Sequence, residues 1–415
     1  PYDEQMMQEV AMIKDPSTVK FVPLLSHPKI TEIDNEIDDL YLKEITPLQH
    51  YQSDNIQFGR QLSIVYTSLH GTGITMIPKV LNSWGFSTIS LVEKQIIPDG
   101  DFPTAPVPNP EELSALQLGI EQMLLSKADL LIATDPDADR VGIACMHHGK
   151  AEILTGNQIA AICLEHICEA LTKQSRFPVN GAFIKTIGTT ELFQAICDHY
   201  YRPCFNVLTG FKYIGEKISE WESQNNKYQF IFGAEESYGF LLSSKLARDK
   251  DALISSALIC EVTLQAKRQG KTLLDKLHDL YRRQGVHQEK LFTLDFHDTQ
   301  AGREQILTKM QRLRYAFLRE INGTPISFIE DYLISTRYHL SSNHQEPLSL
   351  PISDTLLFRL EDGSKIMIRP SGTESKLKIY VGAVKKVYSD VEEGIQSCNV
   401  QCQEMLTWIQ HYFLG

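Results

Sequence analysis

"ADLLIATDPDADRV", residues 128–141, is the stretch whose reading decides the fold. Its first seven residues are an apolar run of strand length. The next six crowd Asp135, Asp137 and Asp139 at a spacing of two, with Arg140 directly behind. Three carboxylates so spaced can line one edge of a tight loop and bind a hard divalent cation. Without a cation their mutual repulsion is costly. A calcium-binding helix–loop–helix is excluded, because its sixth and twelfth loop positions need Gly and Glu and here hold Arg140 and Met146. A phosphatase with an Asp-x-Asp motif after a strand and a solvated acidic turn both stay open on these residues alone.

Upstream, "LSIVYTSL" (62–69) reads as a buried strand, "HGTG" as a turn, 74–84 as an amphipathic run and "STISLV" (87–92) as a strand. A proline-rich loop covers 93–110. "NPEELSALQLGIEQMLL" then predicts a helix capped by Asn109, with Pro110 at its first position and two Glu complementing the dipole. Strand, helix, strand, helix, strand implies a parallel α/β layer.

Downstream the pattern repeats. Helices are expected at 155–174, over "TTELFQAICDHYY", over "FKYIGEKISEWE" and from about 251 to 268. Strands are expected at "GAFIKTI", "CFNVLTG" and "YQFIFGAEES". Two α/β units of similar size in series suggest duplicated domains. After about residue 286 the pattern changes. "EKLFTLDF", a helix near 300–318, "DTLLFRLEDGSKIMIRP" and "SKLKIYVGAV" predict antiparallel strands around a "DG" turn, with a long terminal helix. That reads as a separate α+β domain, and 285–290 as the hinge to it.

The 415 residues are 42% hydrophobic and 22% charged, which is globular composition, and call for more than one domain. A net charge of −12 disfavours nonspecific nucleic-acid binding but permits a local basic site for an anionic substrate. No apolar run reaches membrane-span length and no signal peptide is evident, so no membrane partner and a cytoplasmic location are expected. Eight cysteines without a CxxC pair read as buried reduced thiols. The printed chain opens on Pro1 without Met, which reads as a fragment or a processed chain.

Three further stretches carry chemistry. In "IRPSGTESKLKIY" (368–380), Arg369 can pair bidentately with a phosphate, and Ser371, Gly372 and Thr373 offer hydroxyls and close backbone N–H groups. In "GAEESYGFL" (233–241), the paired carboxylates Glu235 and Glu236 with Ser237 can accept hydrogen bonds from sugar hydroxyls, and an exposed acidic turn stays open on these residues alone. In "LTGFKYIGEKI" (208–218), Lys212 lies in a first helical turn, where it opposes the dipole.

Taken in order, these stretches resemble the α-D-phosphohexomutases, the phosphoglucomutase and phosphomannomutase superfamily. "TDPDADRVG" is similar to the metal loop, "TGFKYIGEKI" to a phosphate-side loop of the third domain, "GAEESYGF" to the sugar-binding loop and "RPSGTES" to the phosphate-binding loop of the last domain. "YTSLHGTG" and "GDFPTAPVPNPEE" are nearest the branch of bacterial phosphoglucomutases and phosphopentomutase-like enzymes. The family has four domains, and a serine in a TASHNP-like loop of the first carries the phosphoryl group. No such loop occurs in the printed sequence. Ser68 and His70 fall instead where the family has a structural turn. The resemblance implies a remnant of domain 1 at 1–19, domain 2 at 20–147, domain 3 at 148–285 and domain 4 at 286–415, and a chain inactive as a mutase for want of its carrier.

The implied chemistry passes phosphoryl from the phosphoserine to a sugar monophosphate and back through a bisphosphate. Asp135, Asp137 and Asp139 would hold Mg²⁺, and Arg140 would stabilise the transferring group. Glu235 and Ser237 would bind sugar hydroxyls, and Arg369, Ser371, Gly372 and Thr373 the phosphate that does not react. Lys212 is a candidate for phosphate contact or acid/base work. Glucose 1,6-bisphosphate would be activator and intermediate, and the partner a small sugar phosphate of glucose, mannose or a pentose. Lys185 is a further candidate near Arg140, and Arg248 for reaching the cleft. A metal-dependent sugar phosphatase with Asp135 as nucleophile, and a sugar-phosphate-binding fragment without catalysis, are the alternatives.

Overall fold

Residues 128–141 lie at the centre of a five-stranded sheet in the computed structural model, which describes residues 2–21, 27–31, 33, 35–316, 318–371 and 375–414. Its strands are β1 (Ile64–Thr67), β2 (Ile89–Leu91), β3 (Leu130–Thr134), β4 (Val141–His147) and β5 (Lys150–Leu154), in the order β2-β1-β3-β4-β5. Every residue of β1 and β3 is buried, which is why both read as unbroken apolar runs. Helix Leu113–Ser126 lays Leu116 and Met123 against Val65, Leu131 and Ala144.

The expected parallel layer of β2, β1 and β3 is present, and β4 and β5, which the sequence did not announce, add antiparallel to its edge. Their connection is the two residues His148 and Gly149, at φ 48° and 80°, a turn with left-handed backbone at both positions that carries no Asn-Gly signature. The helix expected from Asn109 begins at Leu113, and no side chain caps it. Asn109 Oδ1 instead accepts from the Glu111 N–H at 3.0 Å, closing a turn ahead of the helix.

The second sheet holds β6 (Gly181–Thr186), β7 (Cys204–Val207), β8 (Gln229–Ala234) and β9 (Phe240–Leu241), in the order β7-β6-β8-β9. Its first three strands are parallel and β9 is antiparallel. Helix Gly156–Lys173 opens on a Thr155–Gln158 capping box, and helix Ala252–Arg268 on the Asp251 side chain. Helix Phe211–Ser223 buries Phe211, Ile214, Ile218 and Trp221 against Ala182, Ile184 and Val207. Helix Leu273–Gln284, absent from the sequence reading, ends at Gly285 with φ 91°.

The third sheet runs β10 (Val286–Asp295), β11 (Glu320–Ile321), β12 (Thr324–Asp331), β13 (Thr336–His339), β14 (His344–Pro347), β15 (Leu356–Leu360), β16 (Lys365–Pro370) and β17 (Lys376–Lys385). It is antiparallel throughout, in the order β10-β17-β16-β15-β12-β13-β14 with β11 paired to β12. Helix Val391–Leu414 packs on β10 and β17. The fold class is therefore two α/β units followed by an α+β unit with an antiparallel sheet. Residues 1–43 form a separate unit with helix Tyr2–Met12 and the turn Pro16–Thr18. All eight cysteines are free and all but Cys204 are buried. Among the described residues no helix is long and apolar enough to cross a membrane.

The third sheet meets the second α/β unit through an apolar cluster and a charged one. Ile187 and Leu208 pack against Tyr332, Leu357, Met367 and Tyr380. Beside them a single oxygen, Glu191 Oε1, meets Lys185 Nζ at 3.2 Å, Lys365 Nζ at 3.0 Å and Arg359 Nη1 at 3.0 Å. Burial alone would raise the Glu191 pKa, but Lys185, Lys365 and Arg359 overcome it and hold the carboxyl well below the usual range. Both lysines also donate to backbone carbonyls, Lys365 to Ile187 and Thr189, Lys185 to Thr186 and Thr189.

Candidate active site

The loop after β3 is folded around its own first carboxylate. Asp135 Oδ1 accepts from the Asp139 and Arg140 N–H groups at 3.1 and 2.9 Å. The Asp135 carbonyl accepts from Ala138 N–H, and Ala138 sits at φ 57°. The "HGTG" turn buttresses this loop: Thr72 N–H and Oγ1 both donate to the Pro136 carbonyl, at 2.8 and 3.0 Å. A Cβ on Gly71 would stand 2.2 Å from Pro136 Cα, so that position needs glycine. Ser68 and His70 serve the turn. Ser68 Oγ donates to the Gln95 carbonyl, and the His70 ring meets the Ile97 carbonyl and Thr104 Oγ1.

The loop holds more negative charge than its neighbours neutralise. One carboxylate oxygen each from Asp135, Asp137 and Asp139 lie within 4.8 Å of one another. Burial, then the charges of Asp139 and Asp137, push the Asp135 pKa up to about 7 against the hydrogen bond from Arg140. Arg140 Nε is 3.8 Å from Asp135 and 3.7 Å from Asp139 Oδ1, too far to hydrogen-bond. Arg140 Nε and Asp139 Oδ1 are both buried without a hydrogen-bond partner. Lys250 Nζ lies 3.0 Å from Asp139 Oδ2. Three hard oxygen donors with an orphaned buried acceptor fit a divalent cation such as Mg²⁺.

The "GAEESYGF" loop is stitched to this one through the backbone. Arg140 and Gly239 form an antiparallel bridge, Val141 N–H donates to the Tyr238 carbonyl at 3.1 Å, and Glu235 N–H donates to the Gly239 carbonyl at 2.9 Å. A Cβ on Gly239 would stand 2.3 Å from Lys250 Cδ and 2.7 Å from Glu235 Oε1. Glu235 therefore shares its surroundings with the aspartates. Burial, then the Glu236 charge, push its pKa up to about 7 against Lys250 and Arg140. Glu236 Oε2 accepts from Thr186 Oγ1 at 2.7 Å, while its Oε1 is buried without a partner. Ser237 lines a cavity of about 140 Å³ together with Glu111, Glu236, Lys365 and Tyr380.

Tyr380 brings the third sheet to the cleft. Arg369 Nη2 donates to Tyr380 Oη at 3.3 Å, and Arg369 Nε is buried without a partner. Ser371 N–H donates to the Lys376 carbonyl at 2.8 Å and closes the chain turn after β16. Gly372 and Thr373 lie outside the described residues.

The other candidates divide. Lys212 is exposed in the first turn of helix Phe211–Ser223, its Nζ 5.0 Å from the Tyr213 ring centroid. No hydrogen bond or ion pair joins it to the acidic loops among the described residues. Lys185 does not line the cleft, because Glu191 and two carbonyls take its ammonium in the interior. Arg248 faces outward onto Glu222 at 2.8 and 3.0 Å, and Lys250, two residues on, reaches the cleft in its place. Two cleft residues escaped the sequence reading. Glu111 reads in the sequence as a helix-dipole residue, but the late helix start leaves it among Arg140, Glu236 and Lys378, and burial raises its pKa. Lys250 stands in a run of alternating charge where no periodicity marks the inward side chain.

Two family models match the chain: "Phosphoglucomutase/phosphomannomutase, alpha/beta/alpha domain II" over residues 39–149 and "alpha/beta/alpha domain III" over 155–283. The chain belongs to the phosphoglucomutase/phosphomannomutase family. A phosphoglucomutase of Staphylococcus aureus strain MSSA476 is 37% identical over 364 residues, which are 87% of this chain and 63% of that protein. A strain USA300 phosphoglucomutase is 36% identical over the same span. The chain thus covers less than two thirds of these relatives. Among solved structures, a putative phosphomannomutase from Thermus thermophilus superposes with TM-score 0.62 at 16% identity, over 93% of this chain and 67% of that one. The open form of the Paramecium phosphoglucomutase pp63/parafusin does so with TM-score 0.62 at 16% identity, over 90% and 62%. At that identity the two structures speak for the fold.

Proposed function

We propose that these residues form the metal, sugar and phosphate-anchoring parts of a phosphosugar mutase that interconverts the 1- and 6-phosphates of a hexose such as glucose. The observation that carries the reading is the Arg140–Gly239 bridge, which puts the triple-aspartate loop and the Glu235–Ser237 loop in one cleft. Asp135, Asp137 and Asp139 would hold Mg²⁺, which supplies neutralisation of charge on the transferring phosphoryl group. Arg140, whose Nε makes no hydrogen bond, offers a donor to that group. Glu235 and Ser237 accept and donate to ring hydroxyls, so that the sugar is held in either orientation. Arg369, with its orphaned Nε beside Tyr380, clamps the phosphate that does not react, with Ser371 beside it. Anchoring one phosphate remotely supplies binding energy for positioning the other. Lys212 is proposed to contact the sugar phosphate when the third sheet closes, with Gly285 as the pivot.

The family's phosphoryl carrier is a serine of a TASHNP-like loop, and the 415 residues contain none. We therefore propose that these residues bind and orient without turning over. Asp135 Oδ1, occupied by two backbone N–H groups, is set to shape a cation site rather than to attack phosphorus, which counts against the phosphatase alternative. The test is calorimetry with glucose 1-phosphate, with and without Mg²⁺, beside an assay of glucose 6-phosphate formation with glucose 1,6-bisphosphate added. Mg²⁺-dependent binding without turnover is expected. Robust turnover would overturn the role given to the serine, and absence of binding would overturn the site.

A further inference from the structure

The hairpin that joins β4 to β5 carries two adjacent imidazoles, at the opposite end of β4 from the acidic loop. One nitrogen each from His147 and His148 and a carboxylate oxygen of Asp275 lie within 4.8 Å of one another. The hydrogen bonds around them fix the tautomer of His147. Thr272 caps helix Leu273–Gln284, and its hydroxyl donates to Asp275 Oδ2 at 3.0 Å while accepting from Asp275 N–H at 3.2 Å. A hydroxyl has one proton, and an ionised carboxylate has none to give. The remaining contact, His147 Nδ1 to Thr272 Oγ1 at 2.8 Å, therefore has Nδ1–H as donor. In the neutral ring the lone pair then lies on His147 Nε2, and the Nδ1 hydrogen bond orients the ring as an outer-shell partner orients a metal-bound histidine. His148 is held at φ 48° with its ring centroid 4.1 Å from that of His147. A third imidazole, His278, stands one turn beyond Asp275 with its ring centroid 6.4 Å from His147.

We propose that His147, His148 and Asp275 bind a divalent transition-metal ion of the zinc class, at a site separate from the carboxylate loop. Two imidazoles and one carboxylate suit zinc, nickel or copper, whereas the all-oxygen set of Asp135, Asp137 and Asp139 suits magnesium. The ion ties the β4–β5 hairpin of the first sheet to helix Leu273–Gln284, the helix that leads through Gly285 into β10. Metal occupancy thereby stiffens the element from which the third sheet departs.

The test is a Zn²⁺ titration by calorimetry of the whole chain, with Mg²⁺ in millimolar excess to fill the aspartate loop. One equivalent of Zn²⁺ is expected to bind the unaltered protein. His148→Asn keeps an exposed side chain that tolerates left-handed backbone, and it is expected to weaken Zn²⁺ about tenfold or more, as losses of metal partners do. Asp137→Asn is expected to leave Zn²⁺ binding unchanged. Equal affinity in His148→Asn and the unaltered chain overturns the proposal, as does absence of Zn²⁺ binding to the unaltered chain. Loss of the Zn²⁺ equivalent in Asp137→Asn would mean that the ion had entered the aspartate loop, and overturns it too.

Discussion

Two charged clusters border the second α/β unit, and they are built with opposite balances. Around Glu191, three cations converge on one carboxylate oxygen, and both lysines find carbonyls as well. Around Asp135, four carboxylates, Asp135, Asp137, Asp139 and Glu235, face Arg140 and Lys250, and two buried polar atoms have no partner. In the first cluster the Glu191 carboxylate is matched by cations of the chain itself, and these contacts hold the third sheet to the second α/β unit. The second leaves Asp139 Oδ1 and Arg140 Nε without hydrogen-bond partners, the arrangement expected where a cation and a phosphate bind. Buried charge serves structure where its partners are within the chain and function where they are not.

The largest effect should come from breaking the Glu191 cluster. Glu191→Gln leaves Lys185, Lys365 and Arg359 without their shared anion. Removing one partner of a buried pair costs about 3–5 kcal/mol. Urea unfolding should show that loss as a lower midpoint, with the third sheet opening first in hydrogen exchange. An unchanged midpoint would mean that the cluster does not hold the interface.

The two clusters should also answer pH with opposite signs. Asp135 and Glu235 have folded-state pKa values pushed up to about 7 from ordinary values of 3.8 and 4.5. Such groups contribute stability that is present below the unfolded value and lost as pH rises through the folded one. Between pH 5 and 7.5, without divalent cations, the chain should lose about 2 kcal/mol through this pair, taken well below the full linkage value because the cleft is open to water. Millimolar Mg²⁺ should remove that slope, since the ion favours the ionised forms. Glu191, with its pKa depressed, contributes stability that is present above about 4.5 and lost only as pH falls below it. Melting temperatures across pH, with and without Mg²⁺, check both signs. A slope between pH 5 and 7.5 that Mg²⁺ does not alter would contradict the reading of the acidic loop.

How these clusters related to the sequence explains what was legible in it. The aspartate loop was readable because all three carboxylates are local and follow an apolar strand. The strands β1 and β3 were readable because burial on both faces leaves unbroken apolar runs. The Glu191 cluster was not, because Lys185, Glu191, Arg359 and Lys365 come from two distant stretches that meet only when the units dock. The same holds for Lys250: the sequence offered Arg248 for the cleft, but the folded loop sends Arg248 onto Glu222 and Lys250 onto Asp139. The β4–β5 hairpin was hidden by its turn: histidine at positive φ is uncommon, and its sequence carries no preference that marks it.

A smaller effect should come from relieving the unbalanced cluster. Asp137 is exposed, and Asp137→Asn removes one like charge from beside Asp135. Without metal the variant should be more stable than the parent by about 0.5–1 kcal/mol, the scale of a partly exposed charge pair. Its melting temperature should no longer rise with Mg²⁺. The same substitution thus stabilises the chain and removes its ligand, which a purely structural acidic turn would not show. Retention of the full Mg²⁺ shift would remove Asp137 from the site.

The smallest effect on stability is expected at Lys212, and there the test of function is cleanest. Its ammonium lies over the Tyr213 ring and makes no ion pair with the acidic loops, so Lys212→Ala should change stability by no more than about 0.5 kcal/mol. Exposed in a first helical turn, it opposes the helix dipole, and a small gain is as consistent with its position as a small loss. If the lysine meets the substrate phosphate on closure, glucose 1-phosphate affinity should fall by about 1–2 kcal/mol, the scale of a charge-assisted hydrogen bond. The loss should shrink as salt is raised, because a lysine is a hydrated point charge open to screening. Lys212→Arg should recover most of the affinity. An affinity unchanged in Lys212→Ala at low salt would assign the lysine to the surface and leave Arg369 as the phosphate anchor.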